Sequence, residues 1–573
     1  MPGPRATDRD IRFILDELLL VDRLSDLPQL GHATPQAMAE ALATTARECA
    51  AIAPDFGDHR GGVAGRASET GLAEAWRAAV ACGLPGAGGE RESGGDGLPY
   101  LIAAARSELL AARSPGGALL ATGTAAVART IALHATPQLR SIYLPPLLAG
   151  RWLGVHGRDG MAATVQADGV NGYRIAGQVP IPGAGHDLAD TTVYLVPARL
   201  PGAPPNDEGL SLFVVPGTRI EADGGLGAAN GVRAIGHDSG SDMGGFGTPV
   251  VAFEDALGTM IGPAAGAREP LATLERYRRL GLATTAVGLA ESANRNAFAD
   301  AGDSCDARPE LARIAVIVRT HIEGLRSFGC WIALNVDMAR HHTDHRQRQA
   351  SADLVTLMAP VLKVFATSTA RRVAVLARDA CEASEPDRSR RAEAILREAL
   401  ALDGLEPANM AEALLFTRAH ARDACGGLLR NFFQPVDTFL VIGRSDQRMA
   451  DITAPFAEAF AGLQQAALSL ARADRDGDVA RRVAAADYLR LFGLVAVGYL
   501  WTQMALVALD RLDDDPPDGA FYTAKVAAAR FFMHHLLPQA TALASRIGAG
   551  PEVVLAFDPR LLGADDDGRG GQI

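Results

Sequence analysis

Two apolar stretches, Thr191-Thr-Val-Tyr-Leu-Val196 and Leu210-Ser-Leu-Phe-Val-Val215, interrupt a chain whose other parts show helical spacing. β-Branched and aromatic residues dominate both stretches, and Gly, Pro and Asp residues surround them, which is typical of short strands separated by turns. The same texture runs from Gly150 to about Gly262. On either side apolar residues recur every three or four positions, as in Asp10-Ile-Arg-Phe-Ile-Leu-Asp-Glu-Leu-Leu-Leu20. We therefore predict a mainly α protein with a central β domain.

The changes of texture divide the 573 residues into several domains, as expected for a chain too long for one ordinary core. We predict an N-terminal helical domain over residues 1–150 and a middle β domain over 151–262. A helical bundle is expected over 263–465, followed by a C-terminal helical extension over 466–562. Residues 563–573 are expected to be a flexible tail.

Composition excludes several classes of partner. A net charge of −12 argues against nucleic acid or an anionic membrane as the main partner. The six cysteines have no paired spacing, which favours reduced thiols in the cytoplasm over a disulfide framework or a zinc site. The apolar run from Leu491 to Leu509 is long enough to cross a membrane, but it contains Thr502 and Gln503. We interpret it as a buried core helix and predict no membrane span.

Five motifs occur in one order along the chain. They are Gly94-Gly-Asp-Gly-Leu-Pro99, Tyr143-Leu-Pro-Pro-Leu-Leu-Ala-Gly-Arg-Trp152, Gly209-Leu-Ser-Leu-Phe-Val-Val-Pro216, Pro360-Val-Leu-Lys363 and Phe521-Tyr-Thr-Ala-Lys525, which continues to Pro538. In this order they resemble the acyl-CoA dehydrogenase family. The resemblance is greatest to its long branch with an extra C-terminal helical domain, which includes 3-methylmercaptopropionyl-CoA dehydrogenases.

The resemblance implies a fold and an activity. The expected fold is a helical N-terminal domain, a β-barrel-like middle domain and a C-terminal bundle, with the helical extension added. Family members are flavoproteins of fatty acid metabolism that hold FAD between the β domain and the bundle. In them a glutamate removes the proton α to the thioester, and the flavin takes hydride from the β carbon. They form dimers or tetramers.

The chain departs from the family at the position of that glutamate. Ile442, or a gap, stands there, within the run Pro435-Val-Asp-Thr-Phe-Leu-Val-Ile-Gly-Arg-Ser-Asp446. Three nearby carboxylates are candidate substitutes for the base: Asp437, Asp446 and Asp451. On the surface of a bundle an aspartate is more often solvated than catalytic, so the solvated interpretation is the alternative for each of them.

The flavin-contact segments also depart from the family pattern. The loop expected after Trp152 is shortened to Gly154-Val-His-Gly-Arg-Asp-Gly-Met-Ala-Ala-Thr164, and Gly177-Gln-Val-Pro-Ile-Pro-Gly183 has no hydroxyl residue where one is expected. By position alone, the cofactor-binding candidates are His156, Arg158, Asp159, Ile181 and Gly183. We expect FAD binding to be weak or absent.

Two further candidates complete the predicted site. By resemblance, Arg278 matches an arginine that lines the acyl pocket, with an ordinary helix-end arginine as the alternative. The adjacent pair His534-His535 cannot share one face of a helix, so we predict no metal site.

Three hypotheses follow. The first is a non-catalytic member of the family, a pseudoenzyme inactive alone, that pairs with itself or with an active paralogue. The second is a flavin-dependent acyl-CoA oxidoreductase with a substituted base and altered FAD contacts. The third is an acyl-CoA or fatty-acyl binding protein. We expected self-association because the segment Phe521–Pro538 is too apolar to remain in water.

Overall fold

The computed structural model describes most of the chain. The described residues are 6–52, 66–157, 164–168, 172–184, 188–221, 224–243, 246–298, 308–381, 386–405, 409–422, 427–443, 445–472 and 477–557. They form a mainly α protein with a small central sheet, so the predicted fold class is confirmed.

Helices make up the N-terminal part. They are α1 (Ala6–Arg12), a π-helical turn (Phe13–Leu18), α2 (Pro35–Ala51), α3 (Arg66–Ala81), α4 (Tyr100–Ala111), α5 (Pro115–His134) and α6 (Pro137–Leu148). Thr34, Ser114 and Thr136 each precede a proline and accept a hydrogen bond from a backbone N–H of the first turn. Proline at the first helical position lacks only a donor that would be unpaired anyway, so these three starts are well determined by sequence.

In the described part of the β domain there are nine strands. They are β1 (Trp152–His156), β2 (Thr164–Asp168), β3 (Gly172–Pro180), β4 (Thr191–Arg199), β5 (Leu210–Pro216), β6 (Thr218–Ile220), β7 (Leu226–Ala229), β8 (Val232–Met243) and β9 (Phe246–Ile261). The apolar stretches Thr191–Val196 and Leu210–Val215 lie in β4 and β5. These strands pair antiparallel, from Val193 opposite Pro216 to Arg199 opposite Leu210. Strands β4, β2, β3, β9 and β5 pair in a closed ring, with β1 beside β4 and β8 beside β9. Closure leaves no open edge within that ring.

The remainder is helical. The bundle contains α7 (Arg268–Phe298), α8 (Pro309–His341), α9 (His345–Ala380), α10 (Pro386–Gly404), α11 (Asn409–Arg422), α12 (Gly427–Gly443) and α13 (Ala450–Arg472). The extension contains α14 (Gly477–Asp513), α15 (Gly519–Phe531), a π-helical turn (Phe532–Leu536), α16 (Gln539–Gly548) and α17 (Glu552–Leu555). The boundary predicted at 465 falls inside α13, so the helix continues through it.

Within the described residues, three helices, α5, α9 and α14, are long and apolar enough to cross a membrane by length and composition alone. In this fold 83% of the most apolar window of α14 is buried, and the run Leu491–Leu509 belongs to this helix. Its neighbours are other helices of the same chain, α11, α13, α15 and α16. The run is therefore a core helix in this structure.

The apolar segment Phe521–Pro538 is covered by its own chain. Tyr522, Phe532 and Met533 are buried, and Phe521 packs edge to face on Phe13 with ring centroids 5.6 Å apart. Our reason for expecting self-association was therefore wrong, because intramolecular packing satisfies this surface. The prediction of an oligomer no longer rests on it.

A cluster of buried charges joins the N-terminal part, the bundle and the extension. The guanidinium of Arg326 on α8 donates to Glu108 of α4 at 2.8 Å, to Glu291 of α7 at 3.1 Å and to Asp10 of α1. Lys525 of α15 donates to the same Asp10 and, at 2.8 Å, to Glu323 of α8. We call these six residues the ion cluster; all are buried.

Mutual pairing is what makes this burial tolerable. Burial alone would raise the pKa of Asp10, but the charges of Lys525 and Arg326 hold it below the ordinary value. At Glu108 burial dominates, and the pKa is raised despite Arg326. A buried ion pair adds little net stability, yet removing one partner leaves a charge that water cannot reach.

We predict that Lys525→Met lowers the free energy of unfolding by ~3–5 kcal/mol, because Asp10 and Glu323 each lose one of their two cations inside a buried cluster, Arg326 and Arg319 being the ones that remain. The matched control is Arg530→Met on the same helix, whose pair with Asp451 (2.6 Å) is nearly half exposed and should contribute at most ~1 kcal/mol. Urea unfolding followed by circular dichroism measures both. Equal shifts for the two variants would contradict a special role for the ion cluster.

Candidate functional site

The β domain meets the bundle where β1 ends and α7 begins. The charges of Arg278 and Glu275 on α7 act on the imidazole of His156, the last residue of β1. Burial and then the positive charge of Arg278 lower the pKa of His156 to about 4. His156 is therefore neutral at pH 7. The structure thus brings two of the predicted residues, His156 and Arg278, into one neighbourhood.

Arg278 is occupied by a carboxylate on its own helix. Its Nη2 lies 2.5 Å from Oε2 of Glu275, and its Nε donates to Oε1 at 3.1 Å. The paired guanidinium lowers the pKa of Glu275, which burial alone would raise. This two-pronged geometry fixes both side chains and neutralises both charges.

A second ion pair lies beside the first. Nε of Arg279 donates to Oε1 of Glu412 on α11 at 2.7 Å, and Glu412 is 1% exposed. Its other oxygen, Oε2, is buried and accepts no hydrogen bond from the described residues. Nζ of Lys363 donates to Asn409 at 2.9 Å, and burial lowers the pKa of Lys363 to about 8 despite the negative charge of Glu412.

We call this set the crevice cluster: His156, Glu275, Arg278, Arg279, Lys363 and Glu412. Only His156 and Arg278 were predicted from the sequence as site residues; the other four members were not, and Lys363 was noted only as part of a family motif. Glu275 lies three residues before Arg278, a spacing that places two side chains together on a helix, so this pair could have been predicted. Arg279 and Glu412 are separated by 133 residues, and no local pattern connects them.

The other predicted cofactor residues lie elsewhere in the β domain or outside the described ranges. Ile181 is fully buried, and its N–H donates to the carbonyl of Pro249 at 3.0 Å. Gly183 has φ +75°, the left-handed region that favours glycine. Arg158 and Asp159 lie outside the described residues.

The candidate substitute bases lie on the surface of the bundle. Asp446 caps the turn before α13 and pairs with Arg448 at 2.7 Å, while Asp451 pairs with Arg530. Asp437 is exposed, and Gln464 approaches it at 3.5 Å. Ile442, near the end of α12, is 61% exposed. No contact recorded among the described residues joins any of these four to the crevice cluster.

The described residues also contain no group of three or more His, Cys, Asp or Glu side chains that could hold a metal ion. His535 stacks on Phe531 with ring centroids 4.6 Å apart.

A helical domain, a closed β domain, a bundle and a helical extension together define the acyl-CoA dehydrogenase fold. The chain is similar to the crystal structure of an acyl-CoA dehydrogenase from Bacillus anthracis complexed with FAD. The TM-score is 0.71 at 16% identity, over 94% of this chain and 91% of that one. It is also similar to Caenorhabditis elegans ACDH-11 in complex with C11-CoA, with a TM-score of 0.67 at 15% identity, over 97% and 95% of the two chains.

The sequence identifies the family. Residues 37–151 match the acyl-CoA dehydrogenase N-terminal domain, and residues 432–558 match the domain described as acetyl-CoA dehydrogenase C-terminal like. The chain belongs to the acyl-CoA dehydrogenase family. It is 26% identical to 3-methylmercaptopropionyl-CoA dehydrogenase of Ruegeria pomeroyi, over 80% of this chain and 82% of the relative. It is 24% identical to butyryl-CoA dehydrogenase of Syntrophomonas wolfei, over 77% and 78%.

The described part of the predicted flavin site does not fit FAD. A flavin dinucleotide needs hydrogen-bond donors for its pyrophosphate and ring edges. Here the guanidinium of Arg278 is engaged by Glu275, and His156 is a neutral, half-buried imidazole beside the carbonyl of Gly157. Ile181 and Gly183 contribute no side-chain donor. We therefore derive no chemical step through a flavin.

We predict that His156 stays neutral as the pH falls to about 4. Since its pKa in the folded state lies below the ordinary 6.5, its neutral form contributes stability that is complete above pH 6.5 and is lost as the pH falls toward 4. Arg278→Met should raise the pKa of His156, because a nearby positive charge is removed. NMR titration of ¹³C-labelled histidine measures this, with Arg233→Met, an exposed pair on the far strand β8, as the control. An unchanged titration in Arg278→Met would show that the two groups do not interact.

Proposed function

We propose that this chain is an acyl-CoA dehydrogenase-family protein that does not perform standard α,β-dehydrogenation by itself and acts as a non-catalytic or partner subunit. One observation carries the proposal: the two carboxylates of the crevice cluster, Glu275 and Glu412, are each held by an arginine. A general base must reach the carbon acid with an available oxygen. Neither carboxylate is placed as a free base at the surface of an open site.

Charge balance supports the same proposal. An arginine that clamps a carboxylate favours its ionised form but lowers its basicity. At Glu275 both oxygens face the guanidinium of Arg278. Moving either carboxylate toward a substrate would break its ion pair with a partly buried arginine, which is costly.

One feature favours the second candidate function, an acyl-CoA oxidoreductase with a substituted base. Oε2 of Glu412 is buried without a hydrogen bond from the described residues, although Oε1 is paired with Arg279. A buried oxygen of this kind is a potential proton acceptor once a ligand approaches it. Glu412, rather than Asp437, Asp446 or Asp451, is then the base to test.

We predict that the purified protein reduces no artificial electron acceptor with saturated acyl-CoA thioesters, and that it carries no stoichiometric flavin absorbance. General base catalysis typically contributes ~10²–10⁴-fold, so its loss should leave no measurable turnover. Ile442→Glu should remain inactive as well, because position 442 points to solvent. Turnover at ordinary family rates would overturn the proposal.

If turnover is found, Glu412→Gln and Glu275→Gln distinguish the contributions of the two carboxylates of the crevice cluster. Loss of activity in Glu412→Gln alone would establish the second candidate function. The exposed Asp437→Asn serves as the control, since a solvated aspartate should contribute nothing.

For the subunit role, we propose a second copy or an active paralogue as the partner. Val441 and Ile442 are 73% and 61% exposed at the end of α12, and apolar side chains exposed side by side favour a protein contact. The described cysteines, Cys49, Cys82, Cys330 and Cys381, are free, which supports a reducing compartment such as the cytoplasm.

We predict that co-expression with a dehydrogenase relative encoded nearby yields a co-purified complex, and that the double variant Val441→Ser/Ile442→Ser weakens it. Light scattering of the protein alone tests self-association in parallel. A monodisperse monomer that captures no relative would end the subunit proposal. The matched control is Val375→Ser on α9, an exposed apolar residue (37%) outside this patch.

A further inference from the structure

The helical extension and the end of the bundle enclose a groove of about 1340 Å³. It lies where α13, the start of α14 and the segment from α16 to α17 meet. Gly550, at φ +76°, follows α16 and allows the chain to turn into α17. Pockets for small molecules measure roughly 300–1,000 Å³, so this groove has room for a segment of polypeptide.

Apolar side chains line the groove although water reaches them. Leu468 of α13 is 55% exposed, Val483 of α14 is 39% exposed, and Val553 and Val554 of α17 are 79% and 58% exposed. Contiguous apolar surface of this kind usually marks a contact with another segment or protein. No segment of the described chain covers these four side chains.

One end of the groove is positively charged. Arg546 of α16 lines the groove and pairs with Asp487 of α14 at 2.7 Å. Arg490 lies one helical turn after Asp487, and Arg371 and Arg372 lie on α9, which packs on α14. We call Arg371, Arg372, Arg490 and Arg546 the arginine cluster; all four are exposed.

Two members of the arginine cluster have no carboxylate partner among the described residues. Arg371 pairs with Asp403 at 2.8 Å, but Arg490 donates to the neutral amide oxygen of Gln539 at 2.8 Å. No carboxylate of the described chain forms a salt bridge with Arg372. Positive charges held close together favour an incoming anion, so Arg372 and Arg490 mark a place for carboxylates.

The neighbouring charges also act on one another. Partial burial, and then the positive charges of Arg372 and Arg546, lower the pKa of Arg490. His321 of α8 adds no charge, because burial and then Arg372 and Arg490 lower its pKa to about 3. The repulsion among the arginines is therefore one that a bound carboxylate would relieve.

The chain itself contains a segment with the matching pattern. The described residues end at Phe557, directly after α17, and the sequence continues Asp558-Pro-Arg-Leu-Leu-Gly-Ala-Asp-Asp-Asp567. Two leucines precede three consecutive aspartates in it. On α14 the groove changes in the same order, from the apolar Val483 to the positive Arg490.

The length of the chain permits this contact. Three residues, 558–560, separate Phe557 from the first leucine, and so short a tether gives an effective concentration on the order of millimolar. Residues 561–567 can span up to ~23 Å when extended. Val483 and Arg490 are about 10 Å apart along the axis of α14, which is well within that reach.

We propose that residues 561–567 of this chain dock in the groove, with the two leucines on its apolar walls and the three aspartates at the arginine cluster. The contact covers exposed apolar surface and supplies the carboxylates that Arg372 and Arg490 lack. The proposal is independent of the proposed function, because neither turnover nor a flavin enters it.

Limited trypsin digestion of the full-length protein, followed by mass spectrometry, tests the contact. Trypsin cuts after Arg560, directly before the docked residues, and after Arg569, beyond them. A synthetic peptide of residues 556–573 offers the same two bonds without the groove. Relative to the bond after Arg569, we expect the bond after Arg560 to be cut about fivefold or more slowly in the protein than in the peptide, as several ion pairs on a tethered segment imply.

Arg372→Gln/Arg490→Gln should restore the ratio of rates found in the peptide, because the aspartates lose their partners. The matched control is Arg346→Gln/Arg397→Gln, two exposed arginines of α9 and α10 outside the cluster, which should keep the protection. High salt should weaken the protection in the wild-type protein, since exposed ion pairs are screened.

Asp565→Asn/Asp566→Asn/Asp567→Asn tests the other side of the contact and leaves the bond after Arg560 and its neighbours unchanged. It should lose the protection as well. Equal ratios in the wild-type protein and the peptide would overturn the proposal, and so would protection that survives in either the arginine or the aspartate variant. Protection that appears only as the protein concentration rises would assign the groove to a second copy and overturn it too.

Discussion

The guanidinium of Arg326 is the constraint on which the assembly of this chain depends. A buried arginine must have its donors satisfied, and here the acceptors come from α1, α4 and α7, three segments distant in sequence. Lys525 brings in α15, more than 500 residues after its partner Asp10. The extension is therefore not an appendage. Its Lys525 supplies the second of the two cations that face four carboxylates in the ion cluster, within the core shared by the N-terminal part and the bundle.

Helix α7 connects the ion cluster to the crevice cluster. It carries Glu291 of the ion cluster and, 16 residues earlier, Glu275 of the crevice cluster, about 24 Å away along the helix axis at 1.5 Å per residue. Once Glu291 is fixed against Arg326, the start of α7 has little freedom to move. The pair Glu275–Arg278 therefore lies on a helix anchored at its other end, and Arg279 of the same helix reaches Glu412 on α11, which suits a structural role for both pairs.

The charges of the crevice cluster and the charge of Arg129 differ in whether an oppositely charged side chain pairs with them. In the crevice cluster each carboxylate has an arginine, and the imidazole of His156 is neutral, so little unsatisfied charge remains for catalysis. Arg129 of α5 is different, because its guanidinium is buried beside the rings of Tyr100 and Tyr277, 4.8 and 5.1 Å from their centroids, and no carboxylate of the described residues forms a salt bridge with it. A buried charge without an oppositely charged partner can still gain free energy by pairing, whereas a charge that is already paired within the fold cannot.

The amino-acid sequence by itself determined the order of helical and β parts and the identity of β4 and β5 as strands. It also determined the helix starts at Thr34, Ser114 and Thr136 and the resemblance to the family. These depend on periodicity, turn residues and capping, which act within a few residues. It also indicated Arg278 and His156, although not that Glu275 neutralises the arginine. Only the tertiary structure decided that Phe521–Pro538 is covered by its own chain, that Asp437, Asp446 and Asp451 face solvent, and that Glu412 and Arg129 are the unusual charged groups. Most of these outcomes depend on contacts between residues far apart in the chain, such as Arg279 with Glu412, and no local pattern in a single sequence records which of them meet.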